Sequence, residues 1–242
     1  VDMYAKCGML AKAQQVLEDL PSRDAVSWNA LITGYAQQGQ CHEAFDCFRQ
    51  MKTEGLSPSA VTFTCLLKAC GDAGSIDNGE HIHEEIVNLG LLESDVMLGT
   101  ALVDMYAKCG AMAEAQCVFD HLEVRNVVSW TALIAGHVEQ NVGDKALICF
   151  EKMQREGLYP NAFTFVCVLK ACGSIGASSK GKEIHDAILR QPLLLKDILI
   201  GTALVDMYAK CGADAHAQKV FDELQNRNVI CWNALITGYS QH

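Results

Sequence analysis

The sequence predicts an all-α fold, a solenoid of stacked helical hairpins, on three observations. The octapeptide Val-Asp-Met-Tyr-Ala-Lys-Cys-Gly occurs at 1–8, 103–110 and 205–212, each copy 102 residues after the last. Apolar residues return at helical spacing between glycine and proline stops, and no segment sustains the period-2 alternation of a strand. Half of the residues are apolar and 20% are charged, enough to fill a continuous core. One helical hairpin of about 35 residues cannot bury its own apolar stripe, so copies must stack.

Each 102-residue period divides into related pieces of 35, 36 and 31 residues. Residues 25–59 align with 127–161, 60–95 with 162–197, and 96–126 with 198–228; 1–24 and 229–242 are partial units. In the first complete unit Trp28, Leu31, Ile32 and Tyr35 form one helical stripe, Gly39 breaks it, and Ala44, Cys47, Phe48 and Met51 form the next. Gly55 and Pro58 stop the second helix, as Gly157 and Pro160 do one period later. The unit 96–126 repeats the plan with Leu102, Met105 and Tyr106, then Ala115, Val118, Phe119 and Leu122. The expected architecture is a curved superhelix of thirteen or fourteen helices.

Twelve cysteines recur at equivalent places, Cys7 with Cys109 and Cys211, Cys65 with Cys167, and Cys70 with Cys172. That is the behaviour of core positions rather than of a disulfide framework, and it implies a reduced, intracellular compartment. The formal net charge of −10 argues against gripping nucleic acid by electrostatics alone, yet leaves room for recognition through base contacts. Acidic residues such as Asp77, Glu80, Glu84 and Glu85 fall on second helices, whereas first helices include Lys68, Lys108, Lys170 and Lys210. No run of about 18 apolar residues suggests a membrane span. The amino terminus carries no targeting signal, and the chain opens and stops inside repeats as a fragment would.

The strings Val-Ser-Trp-Asn-Ala-Leu-Ile at 26–32, Val-Ser-Trp-Thr-Ala-Leu-Ile at 128–134, Glu-Ala-Phe-Asp-Cys-Phe-Arg-Gln-Met at 43–51 and Gly-Leu-Ser-Pro at 55–58 resemble pentatricopeptide repeat proteins. The tetratricopeptide signature is not met in register. The 35-36-31 order, with Leu-Leu-Lys-Ala-Cys at 66–70, looks like the plant class that alternates normal, long and short motifs. On that resemblance 25–59 and 127–161 are normal motifs, 60–95 and 162–197 long, and 96–126 and 198–228 short. Residues 1–24 are then a partial short motif and 229–242 a partial normal one. The resemblance implies binding of single-stranded RNA in a chloroplast or mitochondrion, one nucleotide per repeat, with the amino terminus toward the 5′ end. The role implied is C-to-U editing or other RNA processing.

In that family the fifth and final residues of a motif select the base and the second sandwiches it, a side-chain readout of unstacked bases. Carried over, the pairs are Asn29 with Ser59 for cytosine and Thr64 with Asp95 for guanine. Thr100 with Asn126, Thr131 with Asn161, and Thr202 with Asn228 are adenine readers. Val166 with Asp197 is unselective, because valine cannot hydrogen-bond to a base, and Asn233 suggests a pyrimidine. The implied target is C-G-A-A-N-A-Y. The sandwiching residues are Val26, Val61, Met97, Val128, Phe163, Leu199 and Ile230, all apolar. Asn29, Thr100, Thr131 and Thr202 could instead simply decorate helix starts, but polar residues return in register in five of six units. Trp28, Trp130 and Trp232, spaced with leucine and isoleucine, belong to the core.

Other constellations imitate chemistry. Gly176-x4-Gly181-Lys182 has Glu183 where a phosphate loop needs Ser or Thr, and no strand precedes it. His81 and His83 point to different helix faces; only His83 has a counterpart, His185, so a structural role is expected. No Cys-x-x-Cys occurs, so zinc is not expected, and no cofactor is. Some members of the class end in a domain like a zinc cytidine deaminase, with His-x-Glu and Pro-Cys-x-x-Cys motifs. Neither motif is present here. The chain is therefore expected not to be an enzyme, with any deaminase-like domain or editing partner supplied elsewhere. A protein-binding scaffold is the competing reading.

Overall fold

A computed structural model describes the protein except for residues 93–94, 192–196, 225 and 242 and the side chain of Gln241. Fifteen helices and no strand are found among the described residues. Residues 1–125 and 126–242 form two compact units. The first holds α1 (Asp2–Lys6), α2 (Leu10–Glu18), α3 (Ala25–Gln37), α4 (Cys41–Thr53), α5 (Ala60–Ala73), α6 (Ile76–Asn88), α7 (Val96–Lys108) and α8 (Met112–His121). The second holds α9 (Val127–Glu139), α10 (Gly143–Arg155), α11 (Ala162–Ile175), α12 (Ser178–Leu189), α13 (Ile198–Lys210), α14 (Asp214–Glu223) and α15 (Val229–Gln241). The count exceeds the expected thirteen or fourteen because residues 1–24 already hold two helices, of which α1 is only five residues long.

Within each unit the odd-numbered helices pack side by side, α1 to α3 to α5 to α7 and α9 to α11 to α13 to α15. Each even-numbered helix lies on its own first helix and, where the same unit continues, on the next, as α4 does on α3 and α5. The hairpin turns share one backbone device. One or two residues past these first helices the chain takes the left-handed conformation, at Gly39, Gly74, Gly110, Gly176 and Gly212 with φ from 64° to 80°. The amide after that glycine then returns to the last turn of the helix, as Gln40 N–H to Tyr35 O at 2.9 Å and Ser75 N–H to Cys70 O at 2.9 Å. Asn141 fills this place in the α9–α10 turn with φ 57°, the only non-glycine at positive φ among the described residues.

The core is written twice. Trp28 Nε1 donates to Glu54 at 2.9 Å and Trp130 Nε1 to Glu156 at 2.8 Å. Phe48 meets Phe63 edge-on at 6.1 Å between ring centres, and Phe150 meets Phe165 at 6.3 Å. A Cβ on Gly79 or Gly181 would come within 2.4 Å of the sulfur of Met105 or Met207, so glycine makes the notch each methionine fills. Each such large apolar side chain contributes roughly 1.5–3 kcal/mol on burial.

The cysteine expectation holds in part. All twelve are free thiols; Cys47, Cys70, Cys149, Cys167, Cys172 and Cys231 are buried, but Cys7 is exposed and Cys65, Cys109 and Cys211 are half-buried. Burial pushes the Cys47 and Cys172 thiols up to about 12, which removes them as nucleophiles. Trp28 and Trp130 are core, as expected, whereas Trp232 is half exposed and edge-on to Phe221 at 4.6 Å.

Candidate nucleic-acid interface

Capping defines where each first helix begins and therefore where its side chains point. Asp24, Ser59, Asp95, Asn126, Asn161 and Asp197 are the N-caps of α3, α5, α7, α9, α11 and α13, their side-chain oxygens accepting backbone N–H groups of the first turn. Asn228 does the same for the Cys231 amide at 2.8 Å. The second helices start without any side-chain cap hydrogen bond, as at Gln40, Val142 and Ala213. Every residue carried over as the final one of a complete motif is thus a helix cap, and its polarity has a structural use whether or not it meets RNA.

Two residues past each cap stands a large apolar side chain in solvent. Val26, Val61, Met97, Val128, Phe163, Leu199 and Ile230 are 56–74% exposed. The next residue in each of these helices from α5 onward, Thr62, Leu98, Ser129, Thr164, Ile200 and Cys231, is at most 1% exposed. Isolated exposed hydrophobics are ordinary, but the same register in seven helices is not. In the first unit Val26 and Val61 line one groove of about 530 Å³ together with Asn29, Ala30 and Thr33.

The fifth residues do not cap. They sit in the second helical turn, and their hydroxyls return to the carbonyl four residues back: Thr64 to Ala60 at 2.8 Å, Thr100 to Val96 at 2.8 Å, Thr131 to Val127 at 2.6 Å and Thr202 to Ile198 at 2.6 Å. Asn29 is half-buried and lies 3.5 Å from Ser59 through its Nδ2, so the first pair is brought together. Thr131 and Asn161 are joined through the Thr164 hydroxyl, at 2.8 and 3.0 Å. Thr202 meets the Cys231 sulfur at 2.9 Å, and the Cys231 amide holds Asn228. Between Thr64 and Asp95, and between Val166 and Asp197, the connecting position is the apolar Leu98 or Ile200, which has no hydroxyl to bridge the pair. Thr100 lies in the first unit and Asn126 opens the second. Thr100 and Thr131 are each only 4% exposed, and Asn233 is exposed on α15.

Thr62, Ser129 and Thr164 escaped the sequence reading. Their signal was present as Ser59-x-x-Thr62, Asn126-x-x-Ser129 and Asn161-x-x-Thr164, the spacing of a capping box, and all three boxes form. The expected cationic character of the first helices is weaker than the residue count implied. Lys108 binds Asp72 at 2.9 Å and Asp104 at 3.0 Å, and Lys210 binds Asp206 at 2.7 Å. The chemical look-alikes are structural. Gly176 ends α11 in a left-handed turn, and Gly181 lies against Met207. His83 shares a hydrogen bond with Tyr106 at 2.9 Å and His185 with Tyr208 at 3.0 Å, and burial holds both histidines below the usual range. Among the described residues no helix is long and apolar enough to cross a membrane.

Stacked hairpins with a uniformly capped first-helix layer and a repeated apolar exposure define a helical-repeat solenoid protein. The chain belongs to the pentatricopeptide repeat family: the model of the PPR repeat family matches residues 23–72 and 125–174, and that of the PPR repeat matches 61–91, 100–127 and 202–229. It is 41% identical over its whole length to a mitochondrial pentatricopeptide repeat-containing protein of Arabidopsis thaliana, of which it spans 38%. It is 39% identical over its whole length to a chloroplastic one from the same plant, spanning 30%. The chain thus covers well under half of these relatives. In solved structures, 97% of it superposes on 36% of the pentatricopeptide repeat protein PPR10 in complex with an 18-nt psaJ RNA element, with TM-score 0.80 and 23% identity. PPR10 from maize gives TM-score 0.57 at 20% identity, covering 99% of this chain and 41% of that one. These likenesses are of fold.

Proposed function

We propose that this chain is a sequence-selective single-stranded RNA-binding tract of the class with alternating normal, long and short motifs, taking one base per repeat. The observation that carries it is the recurrence, at one register of seven first helices, of a solvent-facing apolar residue two positions past a polar cap. An apolar side chain left in water at one register is suited to a flat partner such as a base, whose stacking contributes about 1–3 kcal/mol.

The caps support selectivity by the group they leave unused. Asn161 spends Oδ1 on Thr164, so its Nδ2 remains a donor for a base acceptor. Asp95 and Asp197 spend Oδ1 on the α7 and α13 amides and keep Oδ2 as an acceptor for a base N–H. Thr131 beside Asn161 offers an acceptor and a donor, the complement of the adenine N6 amino group and N1. The reading extends to a C-G-A-A-N-A-Y target, an organellar address and a part in C-to-U editing or other processing, with catalysis supplied by a deaminase-like domain or partner outside this chain. An anisotropy titration checks it: C-G-A-A-N-A-Y RNA should bind more tightly than a scrambled control, weakly in absolute terms for so few repeats, and equal affinity would remove the sequence readout.

The burial of Thr100 and Thr131 favours a second reading, a protein-binding scaffold, because a buried hydroxyl reaches a base only if neighbouring first helices part. A crosslink from a photoreactive base to α9 or α11 separates the two.

A further inference from the structure

We infer that Thr62 and Thr164 are positioning residues for base selection: each buried hydroxyl, from the first turn of one repeat, sets which hydrogen-bonding group the fifth residue of the preceding repeat can present. The inference rests on the RNA-binding reading above and deepens it.

A threonine hydroxyl has one proton and two lone pairs. The Ser59 N–H can only donate, and it lies 3.0 Å from Thr62 Oγ1, so it occupies a lone pair there. The Thr62 proton is then directed to Asn29 Oδ1, 2.6 Å away. With its oxygen engaged, Asn29 must turn its Nδ2 amino group outward, toward Ser59 Oγ at 3.5 Å and the groove lined by Val26 and Val61. The fifth residue therefore presents a donor, and a base with an acceptor edge such as cytosine is preferred over one offering N–H at that point. Thr62 is 0% exposed, so water cannot substitute for it.

In the second unit Asn161 N–H lies 3.3 Å from Thr164 Oγ1, and that oxygen is 2.8 Å from Thr131 Oγ1. Thr131 donates to the Val127 carbonyl at 2.6 Å, so toward Thr164 and toward a base it is an acceptor, while the single Thr164 proton lies between Thr131 Oγ1 and Asn161 Oδ1, 3.0 Å away. Thr62 thus fixes a donor at Asn29, and the Val127 carbonyl and Thr164 together leave Thr131 an acceptor. Thr164 is also 0% exposed. Where the connecting residue is Leu98 or Ile200 there is no hydroxyl to impose either choice.

The test is a substitution series at Thr62, read as the ratio of affinities for RNAs that differ only at the nucleotide facing residues 25–59. Thr62→Ser should keep the wild-type ratio, and Thr62→Val should lower it by about three- to tenfold, the range for one lost hydrogen bond. Ratios at the other nucleotides should stay put, which a merely structural role would not produce. Thr62→Cys, whose thiol the equivalent Cys231 shows the fold can house, should fall between and keeps the series readable if the valine variant unfolds. Thr164→Val should act in the same way only at the nucleotide facing residues 127–161. An unchanged ratio in both Thr62→Val and Thr62→Cys would overturn the inference. The Asn29 side-chain amide resonances in the free protein separate the two levels of the argument. If they sharpen and shift with the Thr62 hydroxyl while wild type discriminates no base, the relay stands and the RNA reading fails; if they do not respond to Thr62, the relay itself is wrong.

Discussion

Residues 25–59 and 127–161 are two copies of one repeat that share a scaffold and differ in what they show to solvent. Their tryptophans donate to equivalent glutamates, their phenylalanine pairs meet at nearly the same distance and angle, and Met51 and Met153 are both fully buried. The caps that close them, Ser59 and Asn161, each form a capping box with a buried threonine. Against that constancy, Asn29 faces the position that Thr131 takes, and Ser59 the position of Asn161. The difference teaches that support and selection are carried by separate residues, so one can be altered without the other. Even the turns differ within the same geometry, Gly39 at φ 71° and Asn141 at φ 57°.

The strongest way to break the comparison is through the core. Phe48→Ala and Phe150→Ala should each cost about 3–5 kcal/mol in urea unfolding, with closely matched losses. A mismatch of several kcal/mol would show that the two copies are not one scaffold. Next in size, Val26→Asp with Val61→Asp should leave the melting temperature near that of wild type, since both are exposed, while weakening RNA binding tenfold or more, on the order of a lost stack plus repulsion from phosphate. Binding that survived both changes would detach the apolar row from RNA.

The turn substitutions sharpen it further. Asn141→Gly should stabilise by up to about 1 kcal/mol and Gly39→Asn should destabilise by a similar amount, because glycine adopts positive φ without steric cost. The smallest effect is on pH. His83 and His185 are held neutral by burial, so their folded pKa values lie below the unfolded one. Stability from them is full above about pH 6.5, the unfolded value, and falls as pH drops below it, where the unfolded chain binds more protons. A modest decline in melting temperature between pH 7 and 5, flattened in a His83→Gln, His185→Gln variant, is the expected outcome.

Much of the fold was legible because the period repeats helix-length stripes, and the stripe of Trp28, Leu31, Ile32 and Tyr35 is buried as a unit. The α9–α10 turn was harder to read, since Asn141 supplies positive φ without the glycine that marks the other turns. The apolar second positions could be read from register alone, but their exposure could not, because valine and phenylalanine in a helical stripe normally signal the inside. The relays were hidden for a different reason. Thr62 bonds Asn29 and Thr164 bonds Thr131 across 33 residues of chain, a contact that only the packing of one first helix on the next creates. The pairing of Lys108 with Asp72 is likewise a product of the α5–α7 contact, invisible to a charge count.

The separation of support from selection is tested most directly by exchanging the readers alone. An Asn29→Thr, Ser59→Asn double variant gives residues 25–59 the pair found at 131 and 161 while keeping a cap on α5. Measured by titration against four RNAs that differ only at the first nucleotide, preference there should move from cytosine to adenine, with the thermal melt and the other positions unchanged. A retained cytosine preference, or an equal loss of affinity for all four RNAs in a folded protein, would contradict it.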